Sequence, residues 1–133
     1  MLIQNSVERK KFIRFQVVGA TGKLVCGRNP SARTQVLLTD HLSYGLKILD
    51  RIRSNSNGSF SIRGSERKIL PIVPYVEIIH SCLLRSQRCR KIKSLRIPFK
   101  YVYRSKVVRI FYNFHTINLA DFRNQRLKCF RKK

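Results

Sequence analysis

Apolar and polar residues alternate with a period of two in two separate stretches of the sequence. Residues 11–28 begin with Ile13, Phe15 and Val17 set between polar neighbours, and a glycine-containing turn at 20–22 leads into a second alternating segment. Such alternation places the apolar side chains on one face of a strand, and the turn would join two antiparallel strands. The pattern predicts a β-hairpin over residues 11–28.

A second hairpin is predicted over residues 97–114. Its apolar residues alternate with basic ones on both sides of a short link at Ser105 and Lys106. Its first strand carries three aromatic rings on one face, those of Phe99, Tyr101 and Tyr103. These rings either form the buried face of the hairpin or stack on the bases of a nucleic acid, and both interpretations stay open.

Apolar residues recur at spacings of three and four in residues 40–53, 73–92 and 118–130, which predicts three helices. The polar segment SNSNGS at residues 54–59 is typical of a link, and a short strand is predicted directly after it at Phe60–Arg63. The expected fold class is therefore α+β, with two antiparallel hairpins packed against two or three helices.

The length of 133 residues suits one domain with one core. We therefore expect a single basic domain over residues 1–133, with a possible flexible link at 54–59 and a basic C-terminal tail at 123–133. No run of about 18 apolar residues occurs in the sequence, which excludes a transmembrane helix.

The four cysteines are widely separated and include no CxxC pair. Residues 1–11 lack the apolar core of a secretory signal, so nothing in the sequence indicates an oxidising compartment. We interpret Cys26, Cys82, Cys89 and Cys129 as reduced side chains that behave as small buried apolar groups.

The charge of the chain changes the interpretation more than any motif does. Lys and Arg number 29 against 6 Asp and Glu, which gives a formal net charge of +23. Residues 83–133 alone hold sixteen basic residues and one carboxylate, that of Asp121. A compact domain with this imbalance repels itself, so the composition predicts a polyanionic partner, most often a nucleic acid.

The predicted binding surface is centred on residues 85–112, where basic residues alternate with aromatic ones and no acidic residue occurs. Basic side chains neutralise phosphates, and the C-terminal cluster extends the same charge. The candidate nucleic-acid-binding residues are Arg85, Arg88, Arg90, Lys91, Lys93, Arg96, Lys100, Arg104, Lys106, Arg109, Arg126, Lys128, Arg131, Lys132 and Lys133.

Residues 17–25, VVGATGKLV, resemble two known glycine-rich loops. They are similar to the GxxG loop of KH RNA-binding domains, and Gly19 and Gly22 are similar to the glycine turn of NAD(P)-binding Rossmann proteins. A KH loop joins two helices, whereas Asn29-Pro30 would break a helix shortly after this turn. The interpretation we favour is a plain hairpin turn.

Two catalytic or metal patterns are weaker than their structural alternatives. Asp50, Glu66 and Lys68 fit the D…ExK order of metal-dependent nucleases, but a solvated loop over Glu66-Arg67-Lys68 is the better explanation of the last two. His80 and Cys82, with Cys89 seven residues further on and His115 or Cys129 to complete the set, lack the two close ligand pairs of structural zinc sites. We expect no catalytic residue, no metal and no cofactor.

The function predicted from sequence is non-catalytic RNA binding, as a structural protein of a large ribonucleoprotein. The favoured example is an organellar, mitochondrial ribosomal protein, whose partners would be ribosomal RNA and neighbouring proteins. Scarce carboxylates leave little for acid–base chemistry, and surrounding phosphates would neutralise the charge. The alternatives are a viral or architectural packaging protein for DNA or RNA, a magnesium-dependent nuclease and a peripheral membrane protein. A homo-oligomer is not indicated.

Overall fold

The computed structural model describes residues 13–131, and its regular structure is almost entirely β-strand. The strands are β1 (Arg14–Cys26), β2 (Asn29–Pro30), β3 (Gln35–Leu42), β4 (Gly45–Arg53), β5 (Ser59–Lys68), β6 (Pro74–His80), β7 (Cys89–Arg96), β8 (Tyr112–Asn118) and β9 (Gln125–Cys129), with one 3-10 turn at Phe99–Tyr101. Residues 13–131 contain no α-helix. The predicted α+β class is therefore wrong, although the strand predicted at Phe60–Arg63 lies within β5.

The strands form two sheets. In the four-stranded sheet, β1 is central and pairs antiparallel with β2 and β5 and parallel with β8. In the five-stranded sheet, the order is β4-β3-β6-β7-β9 and every neighbouring pair is antiparallel. The two sheets pack face to face as a β-sandwich.

The core fills the space between the two sheets. Val18, Leu24 and Ile62 face inward from the four-stranded sheet, and Leu38 and Ile78 face inward from the five-stranded sheet. All five are at most 2% exposed. Each such apolar side chain stabilises the fold by about 1.5–3 kcal/mol relative to an exposed position, so this layer holds the sheets together.

The helix predicted over residues 40–53 is wrong because a bulge disguises a strand. β3 and β4 form an antiparallel hairpin whose register shifts between Leu38 and Thr39. The shift leaves Leu49 without a partner in the pairing register, and side chains beyond it change face. The apolar residues of β4 therefore show the mixed spacing that resembles a helical repeat.

The helices predicted over residues 73–92 and 118–130 are also wrong. In β6, Val76 and Ile78 face the core, whereas the neighbouring Glu77 is buried on the opposite face. A strand buried on both faces loses its alternation, and apolar residues from two faces then imitate helical spacing. Residues 125–129 within the last predicted helix form the edge strand β9.

The hairpin predicted over residues 11–28 is one continuous strand, β1, and residues 11 and 12 lie outside the described part. Gly19 and Gly22 do not make a turn. A Cβ added at Gly19 would lie 2.6 Å from the ring of Phe111, and one at Gly22 would lie 2.8 Å from the ring of Phe60. The glycines admit aromatic rings against the strand, so neither the KH-like nor the Rossmann-like resemblance applies.

The hairpin predicted over residues 97–114 is replaced by a 3-10 turn, an irregular segment and the start of β8. The ring of Tyr101 packs against the core and lies edge-on to Tyr112, with 4.9 Å between centroids. The ring of Phe99 is 56% exposed. The backbone of Tyr103 exchanges two hydrogen bonds with Val17. The three rings therefore do not form the continuous face that the alternation indicated.

Both pairs of cysteines form disulfides, which corrects the prediction of reduced thiols. Cys26, at the end of β1, bonds Cys82, which follows β6, and so joins the two sheets. Cys89 bonds Cys129 and so joins β7 to the edge strand β9. No short-range signal could reveal these bonds, because the partners are 56 and 40 residues apart in the sequence.

We expect the two disulfides to differ in their effect on stability. Replacing Cys26 and Cys82 by alanine should lower the free energy of unfolding in urea by about 2–4 kcal/mol, because a long loop is released in the unfolded state and the sheets lose their covalent link. Replacing Cys89 and Cys129 should have a smaller effect, because β9 is an edge strand that can detach alone. Equal losses from the two variants would contradict this difference.

Gly19→Ala should destabilise the fold by about 1–3 kcal/mol, because the added methyl group overlaps the ring of Phe111. The measurement is thermal or urea unfolding. The matched control is the double variant with Phe111→Leu, in which the alanine should be better tolerated than in the single variant. Additive effects of the two substitutions would contradict a direct contact.

Candidate functional site

Few of the basic side chains in residues 13–131 form an ion pair with a carboxylate, because carboxylates are scarce in this sequence. Among residues 13–131, three lysines or arginines contact a carboxylate, in the pairs Lys47–Glu66, Lys68–Asp40 and Arg123–Asp121. Asp40 is fully buried, and its other oxygen accepts the backbone N–H of Val73 at 2.8 Å. The positive charge of the surface is therefore left for a partner.

Six basic side chains lie on the outer face of the five-stranded sheet, opposite the core. Their positions alternate with inward-facing residues such as Val36 and Val76, so the strand pairing places them on one face. We call this surface the outer basic face, formed by Arg51, Arg53, Arg90, Arg96, Arg126 and Lys128.

One row of the outer basic face crosses the whole sheet. Arg53 on β4 is in register with Gln35 on β3, Ile79 on β6, Ile92 on β7 and Arg126 on β9. Four strand spacings separate the two arginines, which is about 19 Å. A neighbouring row places Arg90 directly beside Lys128. The face is broad and flat rather than a single pocket.

Glu77 is an acidic residue on the same face, and it is 2% exposed. One oxygen lies 2.8 Å from Nε2 of His41, and the other accepts the hydroxyl of Ser94. The ring of His41 stacks on Tyr75 with 3.7 Å between centroids. These groups cover the carboxylate, so it offsets little of the arginine charge presented to solvent.

Two of the residues predicted to bind nucleic acid face inward instead. Lys93 is 5% exposed, and its Nζ donates to the carbonyls of Asp121 and Arg123 at 3.2 and 2.9 Å. Burial lowers the pKa of Lys93, because the charged form loses solvation. Nζ of Lys91 donates to the carbonyl of Cys82 at 3.0 Å. Both lysines hold loops in place.

The other predicted binding residues lie at three places. Arg90, Arg96, Arg126 and Lys128 lie on the outer basic face, and the remaining described ones are exposed in connecting segments. Arg85 and Arg88 lie between β6 and β7, Lys100, Arg104, Lys106 and Arg109 lie between β7 and β8, and Arg131 follows β9. Lys132 and Lys133 lie outside the described residues. Of the thirteen that the structure describes, four lie together on this face, seven lie in the surrounding segments and two face inward.

Sequence reasoning missed the arginines of β3–β4 and the loop before them. Arg51 and Arg53 were assigned to a helix, and Arg33 lies in the loop that precedes β3. Together with Arg90, Arg33 and Arg53 line a depression of about 700 Å³ at one end of the outer basic face. A period-two interpretation of residues 45–53 that allowed for a bulge would have placed Arg51 and Arg53 on one face.

Residues of the proposed nuclease site and of the proposed zinc site form structural contacts instead. Glu66 and Lys68 pair with Lys47 and Asp40 between the sheets, which is not the open carboxylate pair of a nuclease. Cys82 and Cys89 are in disulfides, so neither offers a thiolate to zinc.

Residues 13–131 contain neither a cluster of metal-ligating side chains nor a membrane-spanning helix. Within residues 13–131, no three His, Cys, Asp or Glu side chains lie close enough to share a metal ion. Over the same range, no helix has the length and apolar character needed to cross a membrane.

The buried charge cluster between the sheets has opposing effects on its two carboxyl groups. Burial and the neighbouring carboxyl group of Asp40 raise the pKa of Glu66, and Lys47 opposes this shift. Burial would raise the pKa of Asp40, but its interaction with Glu66 and its hydrogen bonds with Lys68 and the Val73 backbone lower it overall. Oε2 of Glu66 is buried without a hydrogen-bond partner among the described residues, which is consistent with a group that resists ionisation.

Comparison of the sequence with known proteins identifies a family and several relatives. Residues 21–98 match the sequence profile of the transthyretin-like family, TTR-52. Transthyretin-like protein 5 of Caenorhabditis elegans is 34% identical over 108 residues, which cover 79% of this chain and 77% of that protein. Transthyretin-like protein 33 of the same organism is 29% identical over 118 residues, covering 86% and 82%. Transthyretin-like protein 46 is 30% identical over 111 residues, covering 80% of this chain and 62% of its own length.

These matches contradict the predicted function, partners and compartment. The matched profile and relatives are transthyretin-like proteins, and none of these names describes a ribosomal, RNA-binding or packaging protein. The ribosomal and mitochondrial location is also wrong, because two disulfides are typical of an oxidising compartment. The high charge was correctly recognised, but it does not by itself identify RNA.

Glu66→Gln should change how stability depends on pH. The pKa of Glu66 is raised in the folded state, so its favourable contribution is present below its ordinary value of 4.5 and is lost as pH rises through the folded value. The variant should therefore gain stability relative to the native chain as pH rises from about 4 to 7. Asp40, whose pKa is lowered, contributes stability above its ordinary value of 3.8 and loses that contribution as pH falls through the lower folded value, so its effect is nearly constant over this range.

The measurement is urea unfolding at a series of pH values, with Asp50→Asn as the control. That variant removes the same charge from β4, where Asp50 pairs with no basic group among the described residues. A stability difference between Glu66→Gln and the native chain that stays constant over this pH range would contradict the raised pKa.

Proposed function

The chain belongs to the transthyretin-like family, and from this premise we propose that it is a secreted, non-enzymatic protein that binds a sulfated polysaccharide through its outer basic face. The observation that carries the proposal is the set of six basic side chains on one sheet face, whose neighbouring carboxylate, Glu77, is covered. Unpaired cations at this density call for an anionic polymer.

Secretion is supported by the cysteines. The four of them form two disulfides, and such bonds persist in extracellular and other oxidising compartments. Outside the cell, the abundant flexible polyanions are sulfated polysaccharides. The proposal therefore keeps the polyanionic partner that the charge indicates and replaces nucleic acid by a polymer that shares the compartment.

A polysaccharide fits the geometry of the face. Arginine forms paired N–H bonds with tetrahedral and planar oxoanions, and five of the six basic residues on the outer basic face are arginines. The row from Arg53 to Arg126 spans about 19 Å, so an extended polymer can contact both ends at once.

A non-enzymatic role is supported by the engagement of the reactive side chains. His41 contacts Glu77 and Tyr75, and Nε2 of His80 lies 2.6 Å from Oε1 of Gln125. Burial lowers the pKa of His80, which keeps the ring neutral at physiological pH. The cysteines are oxidised. These groups are engaged in contacts that stabilise loops and strands.

The triple variant Arg51→Ala, Arg96→Ala, Arg126→Ala should bind heparin about tenfold or more weakly than the native chain, and its salt slope should fall by about one for each lost ionic contact. Calorimetric titration at several salt concentrations measures both quantities. The matched control is Lys23→Ala, Arg63→Ala, Arg67→Ala, which removes the same charge from exposed positions on the four-stranded sheet.

An equal loss in both triple variants would contradict the assignment to this face, because it would mean that only net charge matters. Desulfated heparin should bind neither the native chain nor the variants measurably. Binding to phosphatidylglycerol vesicles without binding to heparin would contradict the polysaccharide and favour a membrane surface instead. The same titration on a variant with Arg104, Lys106 and Arg109 replaced by alanine tests whether the segment between β7 and β8 contributes to heparin binding.

A further inference from the structure

The depression at the end of the outer basic face has the features of a site for a single oxoanion group. Three arginines line it from different elements: Arg33 from the loop before β3, Arg53 from the end of β4 and Arg90 from the start of β7. Ser31, Thr34 and Ser81 add hydroxyl groups. Its lining residues include no Asp or Glu.

The arginines are held in place and keep donors free. Nη1 of Arg53 donates to the carbonyl of Arg33 at 2.9 Å. Nη1 of Arg90 donates to the carbonyls of Cys89 and Gln87 at 2.8 and 3.1 Å. A guanidinium has five N–H donors, so these contacts orient each group and leave other donors for a ligand. None of the three arginines forms an ion pair among the described residues.

The walls of the depression are rigid. The carbonyl of Ser31 accepts the hydroxyl of Ser54 at 2.7 Å, and that hydroxyl also accepts the backbone N–H of Thr34 at 2.9 Å. The Cys26–Cys82 disulfide lies in the lining and fixes the loop after β1 to the loop after β6. A preformed site loses less entropy when it binds a small group than a mobile loop does.

Two non-glycine residues in the lining have a left-handed backbone. Arg33 has a φ of 53° and Leu83 has a φ of 57°. This region is unfavourable for side chains larger than glycine, and residues held in it concentrate at ligand-binding sites. The conformation of Arg33 also directs its carbonyl to Arg53.

We infer that this depression is a subsite that binds a sulfate ester together with the sugar ring that carries it. The inference rests on the proposed function and assigns part of the same surface to one group of the ligand. The volume of about 700 Å³ lies in the range of small-molecule sites, roughly 300–1,000 Å³, and exceeds what a bare oxoanion needs. Three guanidinium groups supply the donors for the sulfate oxygens, and Ser31 and Ser81 line the space left for the ring.

The test is a titration of the full chain with N-acetylglucosamine 6-sulfate, followed by amide and arginine side-chain NMR signals. Signals of Arg33, Arg53, Arg90 and Ser31 should shift together, and N-acetylglucosamine should cause no shift. In the double variant Arg33→Gln, Arg90→Gln, the dissociation constant should rise at least about tenfold. Arg33→Lys should bind with intermediate affinity, because it keeps the charge and loses the paired geometry.

The control separates the subsite from the proposed function. The triple variant of Arg51, Arg96 and Arg126 should bind the sulfated sugar as the native chain does, while its heparin binding is weakened. Native heparin binding with no sugar-induced shifts at Arg33, Arg53 and Arg90 would overturn the subsite and leave the proposed function standing. Failure to bind heparin, with the sugar still bound at these arginines, would overturn the proposed function alone.

Two further outcomes are decisive. Tighter binding of N-acetylglucosamine 6-phosphate than of the sulfate would overturn the assignment to a sulfate ester. If the double variant shows native amide dispersion and native urea stability but unchanged sugar affinity, the depression is not the site. A variant that loses native dispersion is replaced by Arg90→Gln alone, whose side chain lies on β7 and donates hydrogen bonds to the nearby backbone carbonyls of Gln87 and Cys89.

Discussion

The contact between the two sheets, reinforced by the Cys26–Cys82 bond, is the interaction on which the rest of the structure depends. A net charge of +23 on 133 residues opposes any compact state, because like charges approach one another when the chain folds. The apolar layer and the covalent link oppose that repulsion without neutralising it. The basic side chains can therefore remain unpaired at the surface, and the stability of the fold is tied to a compartment in which the disulfides persist.

The distribution of carboxylates decides where the charge is available. Asp40 and Glu66 lie between the sheets with Lys68 and Lys47, and Glu77 is covered on the outer face by His41 and Ser94. Each of these groups has a structural partner, so none screens the arginines from solvent. Lys93 was predicted from sequence to bind nucleic acid, but it is buried. Its Nζ donates to two loop carbonyls, so this basic residue is structural. Surface charge alone did not distinguish these roles.

The sequence predicted the charge and part of the candidate surface but not the fold. Arg96, Arg126 and Lys128 are exposed on the outer basic face and Arg90 is half-buried there, and the sequence could mark all four as basic because composition does not depend on secondary structure. The helix predictions were wrong because a bulge near Leu49 and burial on both faces of β6 remove the period-two pattern of apolar residues. The prediction of a turn near Gly19 was wrong because this glycine leaves space for the ring of Phe111, which lies 92 residues later in the sequence. Long-range pairing, including both disulfides, has no local signal.

The position of the depression links the stability of the sandwich to its chemistry. Cys26 and Cys82 both line it, so the bond that joins the sheets also fixes two of its walls. Arg53 and Arg90 come from strands separated by two others in the five-stranded sheet, and Arg33 comes from the loop that leads into that sheet. Their common position in the lining therefore requires the complete sheet and its attachment to β1. A fragment or a reduced chain would keep the charge of these arginines but not the arrangement, and arrangement is what distinguishes the binding of one ester group from general attraction to a polyanion.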